Sequence, residues 1–261
     1  MRIITLTTDF GLGDWFVGTM KGVIAGLAPQ THVIDITHDV PAGEVRAGAF
    51  ALAAAYRFFP KGTIHVAVVD PGVGTKRKAV AVQTADHCFV GPDNGVLSWA
   101  LRGEKVKSVR VLENRALFLR PLSQTFHGRD IFAPVAAYLS RGLSTKELGP
   151  VVKDFVRLPW PEPRRRPGRT EGEVIYIDRF GNAITNLPVD GSAECASCEI
   201  LGKRRVVCPL KTSYQSVSSG RPVVVPGSSG FLEVAINGGA AAKLLGLKIG
   251  SRISYQPPAS H

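Results

Sequence analysis

Apolar and polar positions follow two different periods in the first part of the chain. Short runs rich in β-branched and other apolar residues predict strands, and the first of these runs predicts a buried strand. Longer segments with apolar residues three and four positions apart predict helices that pack on a sheet. The strand-like runs are 2–8, 32–36, 64–69 and 79–84, and the helix-like runs are 15–27, 42–59, 94–101 and 130–140. Their alternation predicts an α/β domain with a mainly parallel sheet.

The pattern changes after residue 157. Residues 158–170 contain four prolines and four arginines. Proline fixes φ and has no amide hydrogen, so this stretch predicts a linker rather than a helix or a central strand. Beyond it, short β-branched runs alternate with Gly, Ser and Pro, which is typical of a small β-barrel. We therefore predict an α/β domain over 1–157, a linker over 158–170 and a smaller β-barrel domain over 171–261.

Composition excludes several classes of protein. Hydrophobic residues make up 44% of the 261 residues and charged residues 20%, which excludes a disordered chain. No apolar run reaches the roughly 18 residues of a membrane span. The first residues enter a strand-like run directly, so we expect no signal peptide and a cytoplasmic protein. Cys195, Cys198 and Cys208 lack the fourth ligand of a structural zinc site, so we expect thiols and no bound metal.

The net charge of +11 makes nucleic acid a candidate partner. The charge is spread evenly, since residues 1–150 carry 17 Lys and Arg against 12 Asp and Glu, and residues 151–261 carry 15 against 9. The basic clusters, at 76–78, 164–166 and 203–205, are each only three residues long. We therefore expect no nucleic-acid partner. The alternative predicts a steep salt dependence of binding to DNA.

Two carboxylates follow the first predicted strand directly, in the segment TTDFGLGDW. Asp9 and Asp14 lie where ligands bind in open α/β sheets, at the carboxyl ends of the strands. The glycine spacing differs from a dinucleotide fingerprint, and two carboxylates suit a cation or a sugar diol better than a pyrophosphate. The residues alone leave a second interpretation open, in which Asp9 caps the turn and Asp14 caps the following helix.

Asp70, Arg77 and His127 form a second candidate set. Asp70 ends the third predicted strand, at the same sheet edge as Asp9, and the loop DPGVGTKR can bring Arg77 to it. An arginine beside an aspartate favours the charged carboxylate, which suits polarising a water or a hydroxyl. His127, in QTFHGRDIFAP, precedes a predicted helix and is an acid–base candidate. An ordinary Asp-Pro-Gly turn and a structural histidine remain the alternatives.

The predicted β domain offers small polar groups in two segments. Asp178 and Asn182 lie in IDRFGNAITN, and two serines open the segment SSGFLEVAINGGAA, which covers 228–241. Phe180 and Phe231 offer faces for a flat ring. Two hairpin turns would explain the same composition. The residues alone therefore indicate an α/β plus β protein that binds a small polar ligand.

Six segments together resemble one family, the S-adenosylmethionine hydrolases or hydroxide adenosyltransferases, which are related to the fluorinase and chlorinase enzymes. They are TTDFG, VVDPGVGTKR, GPDNGVLS, FHGRDIFAP, IDRFGNAITN and SSGFLEVAINGGAA, in the family's order and over nearly the whole chain. The resemblance implies an N-terminal α/β domain, a C-terminal β-barrel and a homotrimer. It also implies that S-adenosylmethionine binds between the first domain of one subunit and the second domain of its neighbour.

The resemblance implies a reaction and a set of roles. Water or hydroxide attacks the ribose C5′ carbon and gives adenosine and L-methionine, without a metal or another cofactor. Asp70, Arg77 and His127 match the residues that hold the attacking water, and Asp9 matches the carboxylate that binds the ribose hydroxyls. The remaining substrate contacts are Asp14, Asp178, Ser228 and Glu233 toward the amino acid, Phe180, Phe231 and Asn237 around the adenine, and Asn182 as a further polar contact.

A halide-dependent adenosyltransferase is the first alternative. The halogenases that this chain resembles have a Tyr-Pro-Ala-Thr-Gly loop where it has Asp70-Pro-Gly-Val-Gly, and Tyr-Ser where it has His127-Gly128. The Asp70 carboxylate would repel a halide, so we expect water as the nucleophile. The remaining alternatives are a basic nucleic-acid-binding protein and a nucleoside-sensing protein without turnover.

Overall fold

A computed structural model describes residues 2–189, 197–201 and 205–256, and its N-terminal part contains a six-stranded sheet. The strands are β1 (Arg2–Thr8), β2 (Thr31–Thr37), β3 (Ile64–Val68), β4 (Ala79–Gln83), β5 (Cys88–Pro92) and β6 (Ser108–Val111). Their order is β2-β1-β3-β5-β4-β6. The first four in this order run parallel, and β4 is antiparallel to both of its neighbours. The predicted mainly parallel sheet is confirmed.

Helices cover this sheet. They are α1 (Phe16–Leu27), α2 (Val45–Ala55), α3 (Ser98–Leu101) and α4 (Ala133–Ser140), with a π-helix over Gly128–Phe132 directly before α4. β1 is buried from its second residue to its last, as predicted for this run of isoleucine, leucine and threonine. Met20 and Ile24 of α1 and Val135 of α4 pack in the same core as this strand. The covered strand carries the first candidate residue, Asp9, out of the core at its carboxyl end.

The C-terminal part forms an antiparallel, nearly closed sheet. Its strands are β7 (Arg164–Arg166), β8 (Arg169–Ile177), β9 (Ala183–Pro188), β10 (Ser197–Leu201), β11 (Arg205–Pro209), β12 (Pro222–Pro226), β13 (Phe231–Ile236) and β14 (Arg252–Gln256), and a short helix α5 covers Ala241–Leu245. The order is β11-β10-β14-β8-β9-β13-β12, and β7 pairs with β8. A bridge between Leu210 and Val224 connects the two ends. The predicted β-barrel is confirmed.

The predicted linker is partly wrong. The chain divides into two compact units, Met1–Pro159 and Trp160–His261, so the division falls within 158–170. However, β7 pairs with β8 in antiparallel register, and Arg165 lies opposite Thr170. Proline is excluded from the interior of a sheet but tolerated beside an edge strand and in turns, and Pro167 lies in the turn that joins β7 to β8. Proline density therefore predicted a linker where an edge hairpin forms.

His65 is buried in an aromatic cluster and makes stability depend on pH. Its ring stacks on Phe89, with centroids 5.1 Å apart, and Nδ1 lies 2.8 Å from Thr5 Oγ1. Burial, together with the charge of His87, lowers the pKa of His65 from 6.5 to about 3. Below pH 6.5 the unfolded chain therefore gains a proton that the folded chain does not bind. The stability contributed by neutral His65 is complete above pH 6.5 and is lost as the pH falls toward 3.

We expect the free energy of unfolding of the wild type to fall by about 1.4 kcal/mol per pH unit between about pH 6 and 4 because of this residue. His65→Asn keeps a polar group near Thr5 but cannot titrate, so it should remove this slope. Urea unfolding at several pH values measures it. His32→Asn, on an exposed position of β2, is the control and should keep the slope. An unchanged slope in His65→Asn would contradict the prediction.

Candidate active site

The first unit contains a cavity of about 470 Å³ at the carboxyl ends of the neighbouring strands β1 and β3. Asp9 follows β1, and Asp70 follows β3 by two residues. The aromatic wall includes Phe16 and Phe126, whose ring centroids lie 5.0 Å apart in an edge-to-face arrangement. His127 lines the same cavity, together with Asp9 and Asp70. The sheet edge therefore brings together the carboxylates that the sequence placed after different strands.

Arg77 connects Asp70 to His127. Its Nε and Nη2 donate to Asp70 Oδ2 at 2.8 and 2.5 Å, and Nη2 lies 2.7 Å from His127 Nδ1. The guanidinium carbon lies 5.5 Å from the centre of the Phe132 ring. The side chains of Asp70 and Arg77 are only 5% and 10% exposed. The array is therefore rigid and mostly shielded from solvent.

The contact with Arg77 determines which ring nitrogen of His127 carries the proton. A guanidinium can only donate, so His127 Nδ1 accepts the hydrogen bond and a neutral ring carries its proton on Nε2. Burial, and then the positive charge of Arg77, lower the pKa of His127 below 6.5, against smaller effects from Asp70, Asp130 and the Ser123 backbone. The ring is therefore neutral at pH 7.

One oxygen of Asp70 has no hydrogen-bond partner among the residues that the structure describes. Oδ2 receives both hydrogen bonds from Arg77, whereas Oδ1 is buried and accepts none from the described residues. An unsatisfied buried carboxylate oxygen is costly, and Asp70 lines the cavity. Oδ1 is therefore an acceptor for a bound water or ligand.

The π-helix positions His127 at its N-terminal end. Such helices are rare and frequently occur at functional sites. A Cβ atom at Gly128 would lie 3.1 Å from Met20 Sδ and 3.2 Å from the rings of Phe10 and Phe126, so only glycine fits without adjustment. Asp130 is fully buried and accepts a hydrogen bond from the backbone of Ser123, which fixes the loop before His127.

Asp9 belongs to this cavity, and Asp14 does not line it. Asp9 Oδ2 accepts a hydrogen bond from the Gly43 backbone at 2.8 Å, which orients the carboxylate. Asp14 is exposed, and α1 begins at Phe16 without a side-chain cap. The capping interpretation of Asp14 is therefore wrong. Its binding role stays a prediction.

The second unit contains a cavity of about 950 Å³ between the turn that joins β8 to β9 and the loop that joins β12 to β13. Five predicted substrate contacts line it: Asp178, Phe180, Asn182, Ser228 and Glu233. Phe180 is 76% exposed, so its ring is available to a ligand. The structure therefore brings together most of the residues predicted from the two segments of the β domain.

Asp178 is engaged within its turn. Its Oδ1 accepts from the backbone nitrogens of Phe180 and Asn182 at 2.9 and 2.8 Å, and Oδ2 accepts from Asn182 Nδ2 at 3.0 Å. The hairpin interpretation of this segment is therefore correct as well. Asp178 holds the Asn182 amide in one orientation and leaves the Asn182 amide oxygen for another partner.

Phe231 and Asn237 do not line this cavity among the residues that the structure describes. The Phe231 ring packs on Trp160, with centroids 5.3 Å apart. The pairing of β13 with β9 shifts register between Phe231 and Glu233, and such a bulge changes the direction of a side chain. Asn237 Nδ2 donates to the Val217 carbonyl at 2.7 Å. Their adenine contacts stay predictions.

Comparisons with known proteins agree over both units. The model of the N-terminal domain of the S-adenosylmethionine hydroxide adenosyltransferases matches residues 4–149, and that of their C-terminal domain matches residues 172–254. The chain belongs to this family. An (R)-S-adenosyl-L-methionine hydrolase from Salinispora tropica is 44% identical over 255 residues, 96% of each chain.

More distant and structural relatives fit the same assignment. A fluorinase from an Actinoplanes species is 25% identical over 287 residues, covering 97% of this chain and 96% of its own. The crystal structure of a conserved protein from Thermotoga maritima has a TM-score of 0.89 and 38% identity, and covers 98% of this chain and all of its own. The adenosyltransferase family assignment therefore rests on both sequence and fold.

Sequence reasoning missed two contributors to the adenosyltransferase cavities. Tyr214 lines the cavity of the second unit, and its hydroxyl donates to Glu233 Oε1. Asp130 fixes the loop that precedes His127. The acidic residue in FHGRD was visible in the sequence, but Tyr214 lies in a segment with no pattern that connects it to Glu233.

The sequence also led us to expect no bound metal and no membrane-spanning helix. In the described ranges, no three His, Cys, Asp or Glu side chains come together in a way that could hold a metal ion. Cys195 lies outside these ranges, whereas Cys198 and Cys208 face each other on β10 and β11 as buried free thiols. No helix in the described part of the chain is long and apolar enough to cross a membrane.

Proposed function

We infer that this protein hydrolyses S-adenosyl-L-methionine to adenosine and L-methionine. The observation that carries this function is the Asp70–Arg77–His127 array beside Asp9, in a chain of the hydroxide adenosyltransferase family. The water oxygen bonds to the ribose C5′ carbon while the C5′–sulfur bond breaks. The bonding electrons leave with sulfur as the methionine thioether, and the water gives up one proton.

Asp70 is the proton acceptor in this proposal. Its Oδ1 is the buried acceptor without a described protein partner, whereas His127 Nδ1 is occupied by Arg77. Arg77 holds the carboxylate, and His127 fixes Arg77 and offers Nε2–H as a donor. Orienting one water in line with the breaking bond supplies much of the rate, because the sulfonium is already a good leaving group.

The two cavities divide the substrate in this proposal. Asp9 accepts from the ribose hydroxyls, since a carboxylate has lone pairs for both. Asp14 reaches the amino-acid end, and the second unit's residues contact the amino acid and the adenine. We propose a homotrimer in which the first unit of one subunit and the second unit of its neighbour form one site. The family resemblance supports this assembly, as does the division of candidate contacts between two separate cavities.

Water is favoured over a halide as the nucleophile. A halide site needs neutral donors and no competing anion, whereas Asp70 presents a buried carboxylate oxygen. The hydrolase relative is also closer than the fluorinase relative, at 44% against 25% identity. A cytoplasmic location belongs to the same proposal. The buried free thiols of Cys88, Cys198 and Cys208 suit a reducing compartment.

The purified protein should convert S-adenosylmethionine to equal amounts of adenosine and methionine in the presence of EDTA, because its candidate groups are organic side chains. Chromatography with mass detection measures both products, and adding chloride should produce no chlorinated nucleoside. Binding of S-adenosylmethionine without products would favour the sensing alternative. Activity that is lost on chelation and restored by a divalent ion would contradict this mechanism.

A further inference from the structure

The cavity of the second unit contains a buried carboxylate, that of Glu233. Glu233 is only 6% exposed, although it lines the cavity. Its Oε1 accepts a hydrogen bond from the Tyr214 hydroxyl. Within the described ranges, no basic side chain forms an ion pair with this carboxylate. A buried charge normally has an opposite charge beside it, because desolvation of an unpaired carboxylate is costly.

The second oxygen of Glu233 is placed for that missing partner. A Cβ atom at Gly227 would lie 2.6 Å from Oε2, so the oxygen occupies space that only glycine leaves open. Oε2 accepts no hydrogen bond from the described residues. The Glu233 carboxylate therefore has one oxygen that Tyr214 holds and one oxygen that is available to a ligand.

We propose that Tyr214 is a positioning residue that holds Glu233 for the α-ammonium group of the substrate. This proposal rests on the proposed function. The substrate has two cationic groups, but only the ammonium can donate hydrogen bonds to Oε2. The other carboxylate of the cavity, Asp178, already accepts three hydrogen bonds within its own turn.

Tyr214 suits this task chemically. Burial, followed by the hydrogen bond and charge of Glu233, raises the pKa of Tyr214 to about 12, so the hydroxyl remains a donor at neutral pH. Without that donor, the Glu233 side chain can rotate, and the ammonium loses an oriented acceptor. The loss should affect ligands that carry an amino acid and spare those that do not.

A truncated substrate provides the test. The probe 5′-deoxy-5′-dimethylsulfonioadenosine keeps the adenosine and the sulfonium but lacks the amino acid. Dissociation constants of both ligands are measured by calorimetry in an Asp70→Asn background, where S-adenosylmethionine persists. Tyr214→Phe should weaken S-adenosylmethionine binding about tenfold and leave the probe within about twofold. Glu233→Gln should give the same selectivity, because it removes the charge and keeps the shape.

Tyr138→Phe, which removes a hydroxyl from α4 of the first unit, is the matched control and should change neither constant. Unchanged probe binding also shows that Tyr214→Phe is folded. Equal weakening of both ligands would overturn the proposal, since Tyr214 would then only shape the cavity. Unchanged binding of both would overturn it as well.

The same measurements distinguish a failure of the ammonium site from a failure of the proposed hydrolysis. Selective weakening by Tyr214→Phe, together with a wild type that forms no adenosine, would support the ammonium site and reject hydrolysis. Adenosine formation by the wild type without selective weakening would reject the ammonium site alone. If the protein does not bind S-adenosylmethionine, both proposals are overturned.

Discussion

Asp70→Asn should lower kcat by roughly 10³-fold, because it removes the proton acceptor and keeps the shape of the side chain. The buried Oδ1 is the group that receives the water proton in our mechanism, and an amide is far too weakly basic to replace it. Affinity for S-adenosylmethionine should change by less than about threefold, since adenine, ribose and amino acid are held elsewhere. Single-turnover kinetics and calorimetry measure the two effects separately.

Two companion variants make this result specific. Asp86→Asn changes a partly exposed carboxylate of the same unit, which pairs with Lys61 at 3.1 Å, and should leave kcat unchanged. His127→Asn keeps an acceptor for Arg77 but cannot act as a base, so it should lower kcat by only about tenfold. A loss in His127→Asn as large as that in Asp70→Asn would make the histidine the base.

The pH profile provides a further check on the same assignment. Because burial and Arg77 lower the pKa of His127 below 6.5, the neutral ring persists as the pH falls toward that value. The wild-type kcat should therefore remain constant from about pH 8 to 6.5. A decline over this range in the wild type, absent from His127→Asn, would contradict the neutral histidine.

The sequence could predict the elements with a clear hydrophobic pattern and the residues that follow the carboxyl ends of parallel strands. The β-branched and apolar residues of β1 predicted a buried strand, and the strand-end rule placed Asp9 and Asp70 at one edge. His127 lies fifty positions after Arg77, so its contact required the fold or the family resemblance. Spacing alone left it as a structural histidine or an acid–base group.

The sequence predictions are wrong or incomplete where strand pairing, a backbone irregularity or tertiary packing determines the structure. β7 forms because Arg164–Arg166 finds a partner in β8, which proline counts cannot show. The bulge at the start of β13 separates Phe231 from Glu233, although strict alternation would place them on one face. Tyr214 meets Glu233 through tertiary packing across 19 positions of sequence. None of these features has a local signature in the residues.

Mixed trimers of two inactive variants should recover activity, because the proposed site takes its two halves from different subunits. Asp70→Ala inactivates the half from the first unit, and Asn182→Ala weakens the half from the second. Each homogeneous variant should therefore have little activity at low substrate concentration. Coexpression with two different tags and purification on both isolates trimers that contain both variants.

In a cyclic trimer, one of the three sites then combines an intact first unit with an intact second unit, whichever variant is present twice. The doubly purified trimers should therefore recover about one third of the wild-type activity. Light scattering should give the mass of three chains for the wild type and for each variant. Sites confined to one subunit would leave the mixed trimers as inactive as their parents, and an active monomer would reject the shared site outright. Recovery near one third is the result expected only if water activation and substrate binding meet across the subunit boundary.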